Sequence, residues 1–129
     1  MQEHYVRPDG LPPVNGYSHA VAFSGRMIAI SGQVPLDGQG KLAGTEPKAQ
    51  VRQVFENLAG ALAAACAGFE HVVKLTVYLT DMADLQAFRQ VRDEYISPDK
   101  PPASTLVQVA SLANPAFRVE IDALAAISG

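Results

Sequence analysis

The fold is decided by Val72-Val73-Lys74-Leu75-Thr76-Val77-Tyr78-Leu79, a stretch in which apolar and polar residues alternate. Alternation with a period of two is typical of a β-strand with one buried face, since successive side chains point to opposite sides of a sheet. We therefore predict a strand over residues 72–79. Its buried face carries Val73, Leu75, Val77 and Leu79, and its other face carries Lys74, Thr76 and Tyr78.

A helix is predicted on each side of this strand. Residues 46–66 carry apolar side chains at helical spacing, with Thr45 as the N-cap. Residues 81–95 show the same kind of spacing with Asp81 as the N-cap, and the proline-rich stretch 97–102 ends this second helix.

Two strands are predicted before the first helix and two after the second. Residues 19–24 and 26–31 predict a β-hairpin with a tight turn at Gly25. Residues 105–111 and 118–125 predict a further pair. The order is therefore ββαβαββ. Because two helices cannot cover both faces of such a sheet, we expect both helices on one face.

Strand parity predicts which side chains face the helices. Val107 and Val109 are expected on the covered face, together with Val119, Ile121 and Ala123. The opposite face is expected to mix polar and apolar side chains: Lys74, Thr76, Tyr78, Ser104, Leu106, Gln108, Ala110, Glu120, Asp122 and Leu124. Mixed faces of this kind commonly meet another subunit and can enclose a polar pocket.

Length and composition restrict the class of protein. The 129 residues predict one domain over residues 1–129, and a net charge of −3 without a basic run argues against nucleic-acid and anionic-membrane partners. The single cysteine, Cys66, favours a reducing compartment and is expected to be a small buried side chain rather than a nucleophile. Because residues 1–10 also lack the apolar core of a signal peptide, we expect a cytoplasmic protein.

No metal or other cofactor is expected. The three histidines, His4, His19 and His71, are far apart in the sequence and match no metal-ligand spacing, and the chain has no glycine-rich nucleotide-binding motif. Any chemistry would therefore use side chains and backbone groups alone.

Glu120 is the strongest candidate for chemistry, because it lies in the middle of a predicted strand. It is either a solvated carboxylate or, at a subunit interface, a desolvated general base. Ser31-Gly32-Gln33 is either an ordinary turn at a strand end or a place where backbone N–H groups meet a ligand. Tyr17 and His19 open the first strand, and each alone is better explained by aromatic packing or capping.

Taken in order, these pieces resemble the RidA/YjgF family, over roughly residues 16–125. The resemblance implies an α+β, chorismate-mutase-like fold with a mixed sheet and two helices on one face, assembled as a homotrimer with three clefts between subunits. In the best-understood branch it implies hydrolysis of reactive 2-imino and 2-enamino acids to 2-keto acids and ammonia. The segments that carry it are Gly16-Tyr17-Ser18-His19-Ala20-Val21, Ile30-Ser31-Gly32-Gln33-Val34-Pro35, Gln50 through Asn57-Leu58, Val73 through Asp81, Pro101-Pro102-Ala103 and Val119-Glu120-Ile121.

The resemblance also implies a set of site residues. Tyr17 matches the family's pocket tyrosine, Ser31 matches the serine of the Ser-Gly-Gln turn, and Gly32 matches the neighbouring backbone. Glu120 matches the family's carboxylate. Tyr17, Ser31 and Glu120 are thus the expected catalytic residues, and Gly32 is an expected substrate contact.

The sequence departs from the family pattern after Pro101-Pro102. Deaminating members have an arginine there that grips the substrate carboxylate; this chain has Ser104 instead, and Leu106 replaces a pocket cysteine. A guanidinium forms two charge-assisted hydrogen bonds of ~1.5–3 kcal/mol each, so its loss costs about a thousandfold in binding or catalysis. His19 and Arg89 are alternative sources of positive charge. Arg89 stands where the family has an asparagine, and it is also explained as a solvated helix residue.

Three functions stay open. The first is a trimer that binds or hydrolyses a small metabolite other than the usual imino acids. The second is imine or enamine deamination with carboxylate recognition moved to Arg89 or to backbone N–H groups. The third is a non-enzymatic ligand sensor or partner-binding trimer. The expected partners are a small-molecule ligand and further copies of the chain in a homotrimer, with neither nucleic acid nor membrane as a partner.

Overall fold

The computed structural model describes residues 2–128 and has an α+β fold built on a four-stranded mixed sheet. The sheet order is β3-β6-β4-β5, in which β4 and β5 are parallel and the other pairs are antiparallel; β1 and β2 form a separate two-stranded sheet. The elements are β1 (Gln2–Tyr5), β2 (Ala20–Phe23), β3 (Arg26–Gln33), α1 (Pro47–Ala64), β4 (Val72–Leu79), α2 (Leu85–Tyr95), β5 (Ala103–Gln108) and β6 (Val119–Ile127).

The central strand β4 confirms the alternation in the sequence. It spans the predicted residues, and Val73, Leu75, Val77 and Leu79 are at most 2% exposed. Both helices cover this face of the sheet, and they meet where the ring of Phe55 on α1 stacks on Phe88 and Tyr95 of α2. The prediction of two helices on one face is therefore confirmed.

The first helix begins one residue after its predicted start and ends two residues before its predicted end. Its N-cap is Glu46 rather than Thr45 and makes no side-chain capping bond; Pro47, whose fixed φ suits a first helical residue, starts the helix. At the other end Cys66 adopts a left-handed φ of 61°, and the N–H groups of Cys66 and Ala67 donate to the Ala63 and Leu62 carbonyls. This turn leaves Cys66 exposed, so the expectation of a buried cysteine was wrong.

The second helix is preceded by a short 3₁₀ turn, Met82–Asp84, which the sequence pattern merged with it. Asp81 caps this turn, since its Oδ1 accepts from the Ala83 N–H at 2.9 Å. The helix proper starts at Leu85. It ends at Tyr95, before the proline-rich stretch, and this end agrees with the prediction.

The predicted hairpin between the first two strands is wrong. Both strands exist, but β2 pairs with β1 and β3 pairs with β6. Ile28 and Ile30 of β3 pack into the core, which requires β3 to join the main sheet, whereas β2 is mostly exposed. The short polar strand β1 was not predicted, because its four residues show no apolar pattern.

The predicted faces of β5 are inverted. Leu75 pairs with Ser104 and Val77 pairs with Leu106, so Ser104 and Leu106 lie on the helix side, while Val107 is 40% exposed on the other side. The parity was inferred from the two valines, but β5 is an edge strand whose register follows its parallel pairing with β4. For β6 the prediction is confirmed: Val119, Ile121 and Ala123 are buried, and Glu120, Asp122 and Leu124 lie on the uncovered face.

Candidate functional site

The segment before β2 is fastened to the start of β5. The Ser18 N–H donates to the Pro102 carbonyl at 2.9 Å, and the Ser18 hydroxyl, which is buried, donates to the Pro101 carbonyl at 2.6 Å. The proline-rich stretch that ends α2 therefore also anchors the polypeptide next to it. This attachment holds Tyr17 beside the first residues of β5.

A buried arginine of α2 fixes the other side of Tyr17. Arg92 is 7% exposed, and its Nη1 and Nη2 donate to the backbone carbonyl and the Oδ1 of Asn15, each at 3.0 Å. Its Nε donates to Asp93 Oδ1 at 3.0 Å, and the guanidinium lies 5.8 Å from the centre of the Phe88 ring. Gly16 has a φ of +71° and packs directly on the guanidinium, where a Cβ would overlap it.

Arg92 is a site residue that the sequence analysis missed. The signal was present, because Arg92 follows Leu85 and Phe88 at spacings of seven and four residues and so continues the buried stripe of α2. A charged residue on such a stripe indicates a buried ion pair or hydrogen-bonded clamp rather than a solvated helix face.

A cavity of about 370 Å³ lies between α2 and the edge strand β5. We call it the helix-side cavity. Four of the predicted site residues line it: Tyr17, Arg89, Ser104 and Leu106. The rest of the lining consists of the apolar side chains of Met82, Leu85 and Phe88 and the polar side chains of Asn15 and Arg92. The corrected parity of β5 explains why Ser104 and Leu106 reach this cavity, since their side chains point toward α2.

The predicted residues Ser31, Gly32 and Glu120 come together elsewhere, and we call them the open-face group. Glu120 lies opposite Tyr78 on the uncovered face, and its carboxylate packs against Gly32 so closely that a Cβ there would overlap it. A β-bulge between Ile30 and Gln33 interrupts the pairing of β3 with β6 at this point and leaves Ser31 exposed.

The structure thus divides the predicted site residues between two sides of the sheet. The Glu120 carboxylate has no hydrogen-bond partner within residues 2–128, and the same holds for the Ser31, Tyr17 and Ser104 hydroxyls. His19 does not line the helix-side cavity; its Nε2 lies 2.8 Å from the Pro12 carbonyl and its ring meets Tyr17 edge to face at 5.9 Å. His19 therefore supports Tyr17 instead of facing the same space.

The uncovered face around Glu120 is acidic. Tyr78 donates to Asp122 Oδ2 at 3.2 Å, and the charge and hydrogen bond of Asp122 raise the pKa of the Tyr78 phenol, with smaller contributions from burial and from Glu120. Lys74 on the same face donates to the Thr105 hydroxyl at 2.8 Å. No cluster of three potential metal-ligating side chains occurs in the part of the chain that the structure describes.

Comparison with known proteins identifies the family. The family model described as Endoribonuclease L-PSP matches residues 8–127 of this chain. The chain belongs to the RidA/YjgF family. Its α+β fold, with two helices on a mixed sheet, is the fold of the Rid-family structures that it resembles: the Yersinia pestis Rid-family protein YyfB is 32% identical and superposes with a TM-score of 0.89 over 98% of both chains.

Individual relatives cover most of the chain. Protein DfrA of Myxococcus xanthus is 38% identical over 128 residues, which are 97% of this chain and 96% of that protein. A mouse protein named 2-iminobutanoate/2-iminopropanoate deaminase is 39% identical over 113 residues, which are 87% of this chain and 82% of that protein. In residues 2–128 of this RidA/YjgF protein, no helix is long and apolar enough to cross a membrane.

Proposed function

We propose that this RidA/YjgF protein is a cytoplasmic homotrimer that binds or hydrolyses a small imine- or enamine-type metabolite in clefts between subunits. The observation that carries the proposal is the division of free polar groups between two sides of one sheet. Tyr17 and Ser104 lie on the helix side, while Ser31 and Glu120 lie on the uncovered face. A site that uses both sets needs the helix side of one subunit beside the uncovered face of the next.

The uncovered face has the composition of a subunit interface. Val107 is 40% exposed and Met27 is 61% exposed, and they share this side of the sheet with Leu124 and with the polar residues Lys74 and Asp122. Aliphatic and methionine side chains mixed with paired polar groups are typical of the faces that oligomers bury. Sedimentation equilibrium is expected to give about three times the 13.7 kDa of one chain.

Glu120 is the proposed general base. In imine hydrolysis the oxygen of water bonds to the C=N carbon, the carboxylate accepts a proton from that water, and the nitrogen takes up a proton. The hydroxyl of the resulting carbinolamine then gives its proton to the amino nitrogen, with the carboxylate as carrier, so that the C–N bond breaks, ammonia leaves and a C=O group forms. Ser31 and the Gly32 backbone would orient the reacting group from the same side, and Tyr17 would close the cleft.

We also propose two alternative functions, which the structure supports less well. The mouse relative's name favours deamination of 2-iminobutanoate and 2-iminopropanoate, but Ser104 then requires that carboxylate recognition has moved elsewhere. A ligand-sensing trimer without turnover is the other. Ammonia release from imines generated in situ, with and without a carboxylate, distinguishes these functions, and a ligand that raises Tm without turnover favours the sensor.

Mixed trimers test the shared cleft directly. Glu120→Gln disables the uncovered face and Ser104→Trp fills the helix-side cavity, so each variant alone is expected to be inactive. Co-expressed in equal amounts, they leave about one quarter of the clefts with both sides intact and regain about that fraction of activity. Verified mixed trimers that stay inactive would contradict the shared cleft.

A further inference from the structure

The helix-side cavity contains an arginine whose charge has no counter-charge. Five of the six arginines have a hydrogen-bond acceptor: Arg7, Arg26, Arg52, Arg92 and Arg118. Arg89 is half-buried in the lining of the cavity and has neither a hydrogen bond nor an ion pair within residues 2–128. A guanidinium held partly out of water without an acceptor is costly unless a ligand supplies one.

The rest of the cavity wall does not compensate this charge. None of its lining residues in the described chain is acidic. Arg92 is the second cation of the wall, but it forms an ion pair with Asp93, and each of its three nitrogens already donates to Asp93 or Asn15. Arg89 therefore determines the electrostatic character of the cavity.

Two residues with free hydroxyls line the same cavity. They are Ser104 and Tyr17, whose hydroxyls have no hydrogen-bond partner among residues 2–128. The apolar side chains of Met82, Leu85, Phe88 and Leu106 also line it. A cation and two hydroxyl-bearing side chains in a lining that is otherwise largely apolar suit a small amphipathic anion, and a cavity of about 370 Å³ has the size of a small-molecule site.

We propose that Arg89 is the specificity-determining residue of the helix-side cavity, which selects ligands with an oxyanion group and binds that group against α2. The inference rests on the proposed small-molecule site and adds the class of ligand it takes. Arg89 offers a planar fork of donors that matches an oxyanion in two parallel hydrogen bonds. Ser104 is short enough to leave this fork unobstructed and can add one neutral hydrogen bond.

Ligand binding tests the proposal without relying on turnover. The probes are 2-oxobutanoate, its uncharged amide and inorganic phosphate, measured by calorimetry and thermal shift. The expected result is that 2-oxobutanoate binds, that the amide binds at least about tenfold more weakly, and that Arg89→Met removes this difference. If phosphate binds instead of 2-oxobutanoate, and Arg89→Met abolishes that binding, the oxyanion site is supported and its ligand is a phosphate rather than a carboxylate.

Matched variants separate the possible causes. Arg52→Met removes an arginine from an exposed ion pair with Glu94 and is expected to bind like wild type. Arg89→Lys keeps the charge without the fork and is expected to fall between wild type and Arg89→Met. Arg89→Met that binds 2-oxobutanoate as tightly as wild type overturns the proposal, as does equal binding of acid and amide or binding of none of the probes.

The same experiment distinguishes this inference from the proposed function. Glu120→Gln acts on the other side of the sheet and is expected to lose turnover while keeping the Arg89-dependent preference for the anion. If Glu120→Gln retains turnover but Arg89→Met loses the preference, the proposed chemistry fails and the ligand class stands. If Glu120→Gln loses turnover but Arg89→Met keeps the preference for the anion, the proposed chemistry stands and the proposed ligand class is wrong.

Discussion

The helix-side cavity and the open-face group hold free polar side chains in opposite electrostatic settings. The cavity is lined by Arg89 and Arg92, with no carboxylate in the described part of its wall. Glu120 instead lies on a face where Asp122 raises the pKa of the Tyr78 phenol. A ligand shared by the two regions would therefore point an anionic end toward α2 and a proton-donating nitrogen toward Glu120, as the imine of a carboxylic acid does.

Replacing the carboxylate of the open-face group is expected to have the largest effect. Glu120→Gln preserves the shape that packs on Gly32 but cannot accept a proton, so turnover should fall by about 10²–10⁴-fold on whichever substrate is found. Trimer mass and Tm should stay near those of wild type. The measurement is ammonia release per folded trimer.

Asp122→Asn is the matched control, because it makes the same chemical change two residues further along β6, on the same face. It replaces the charged acceptor of the Tyr78 hydroxyl with a neutral amide oxygen and should retain most of the turnover. Equal losses in the two variants would mean that the net charge of this face matters more than a base at residue 120. Unfolding of Glu120→Gln, with activity per folded molecule unchanged, would make Glu120 a structural strand residue.

The next largest effect is expected on stability, from replacing Arg92. Comparing Arg92→Met with Arg89→Met separates a structural arginine from a ligand-binding one. Arg92→Met removes hydrogen bonds to Asn15 and Asp93 from a buried guanidinium and should lower the free energy of unfolding by about 2–4 kcal/mol. Arg89→Met has no such bonds to lose and should leave the urea midpoint nearly unchanged. Similar destabilisation by both variants would show that Arg89 has a structural partner.

The elements with strong periodicity were predictable, and their pairing was not. Alternation over β4 identified both its bounds and its buried face. The faces of β5 depend on which residue of β4 pairs with Ser104, and the two valines that suggested the opposite parity lie on or beyond an exposed edge. Since a shift of one residue exchanges the faces of a strand, this single error moved Ser104 and Leu106 to the wrong side of the sheet.

The site residues show the same difference: the sequence identified several of them, but not how the fold brings them together. Local sequence identified Gly32 and Glu120, and the structure brings them into contact through a bulge that no local pattern predicts. Arg92 was missed because a charged residue is usually solvated, and only its bonds to Asn15 reveal its position. The separation of Ser104 from Glu120 follows from register and could not be inferred from one sequence.

Placing an arginine on β5 should change activity moderately. It also makes the helix-side cavity more positive relative to the acidic face around Glu120. Ser104→Arg adds a third guanidinium to the helix-side cavity, beside those of Arg89 and Arg92, and should raise activity on 2-imino acids by about tenfold, if the ligand's carboxylate is bound there. Arg89→Asn combined with Ser104→Arg removes the repulsion between the two cations and should be at least as active as the single variant. The measurement is kcat/KM for 2-iminopropanoate; no gain in a folded trimer would mean that the cavity differs from deaminating relatives in more than this residue.

The smallest expected effect concerns two tyrosines, one on each side of the sheet, whose pKa values are raised for different reasons. Burial is the first cause for Tyr95 on α2, followed by its 2.7 Å hydrogen bond to Glu56, and its pKa rises from 10.0 to about 12. For Tyr78 on the uncovered face the first cause is the charge of Asp122. Salt screens exposed charges but does not reverse burial, so salt of about 1 M should lower the pKa of Tyr78 toward its ordinary value and leave that of Tyr95 nearly unchanged.

Ultraviolet titration of tyrosinate measures this difference, with Tyr78→Phe and Tyr95→Phe assigning the two transitions. Folding favours the neutral phenol in both cases, so the associated stability is present below pH ~10 and is lost as the pH rises through the raised pKa of the folded state. The urea midpoint of wild type should therefore fall more steeply above pH ~10 than that of Tyr95→Phe, and Glu56→Gln should remove only part of this slope. If the Tyr95 transition moves with salt as much as that of Tyr78, charge rather than burial governs the phenol pKa on both sides of the sheet, and the proposed contrast between these two tyrosines is wrong.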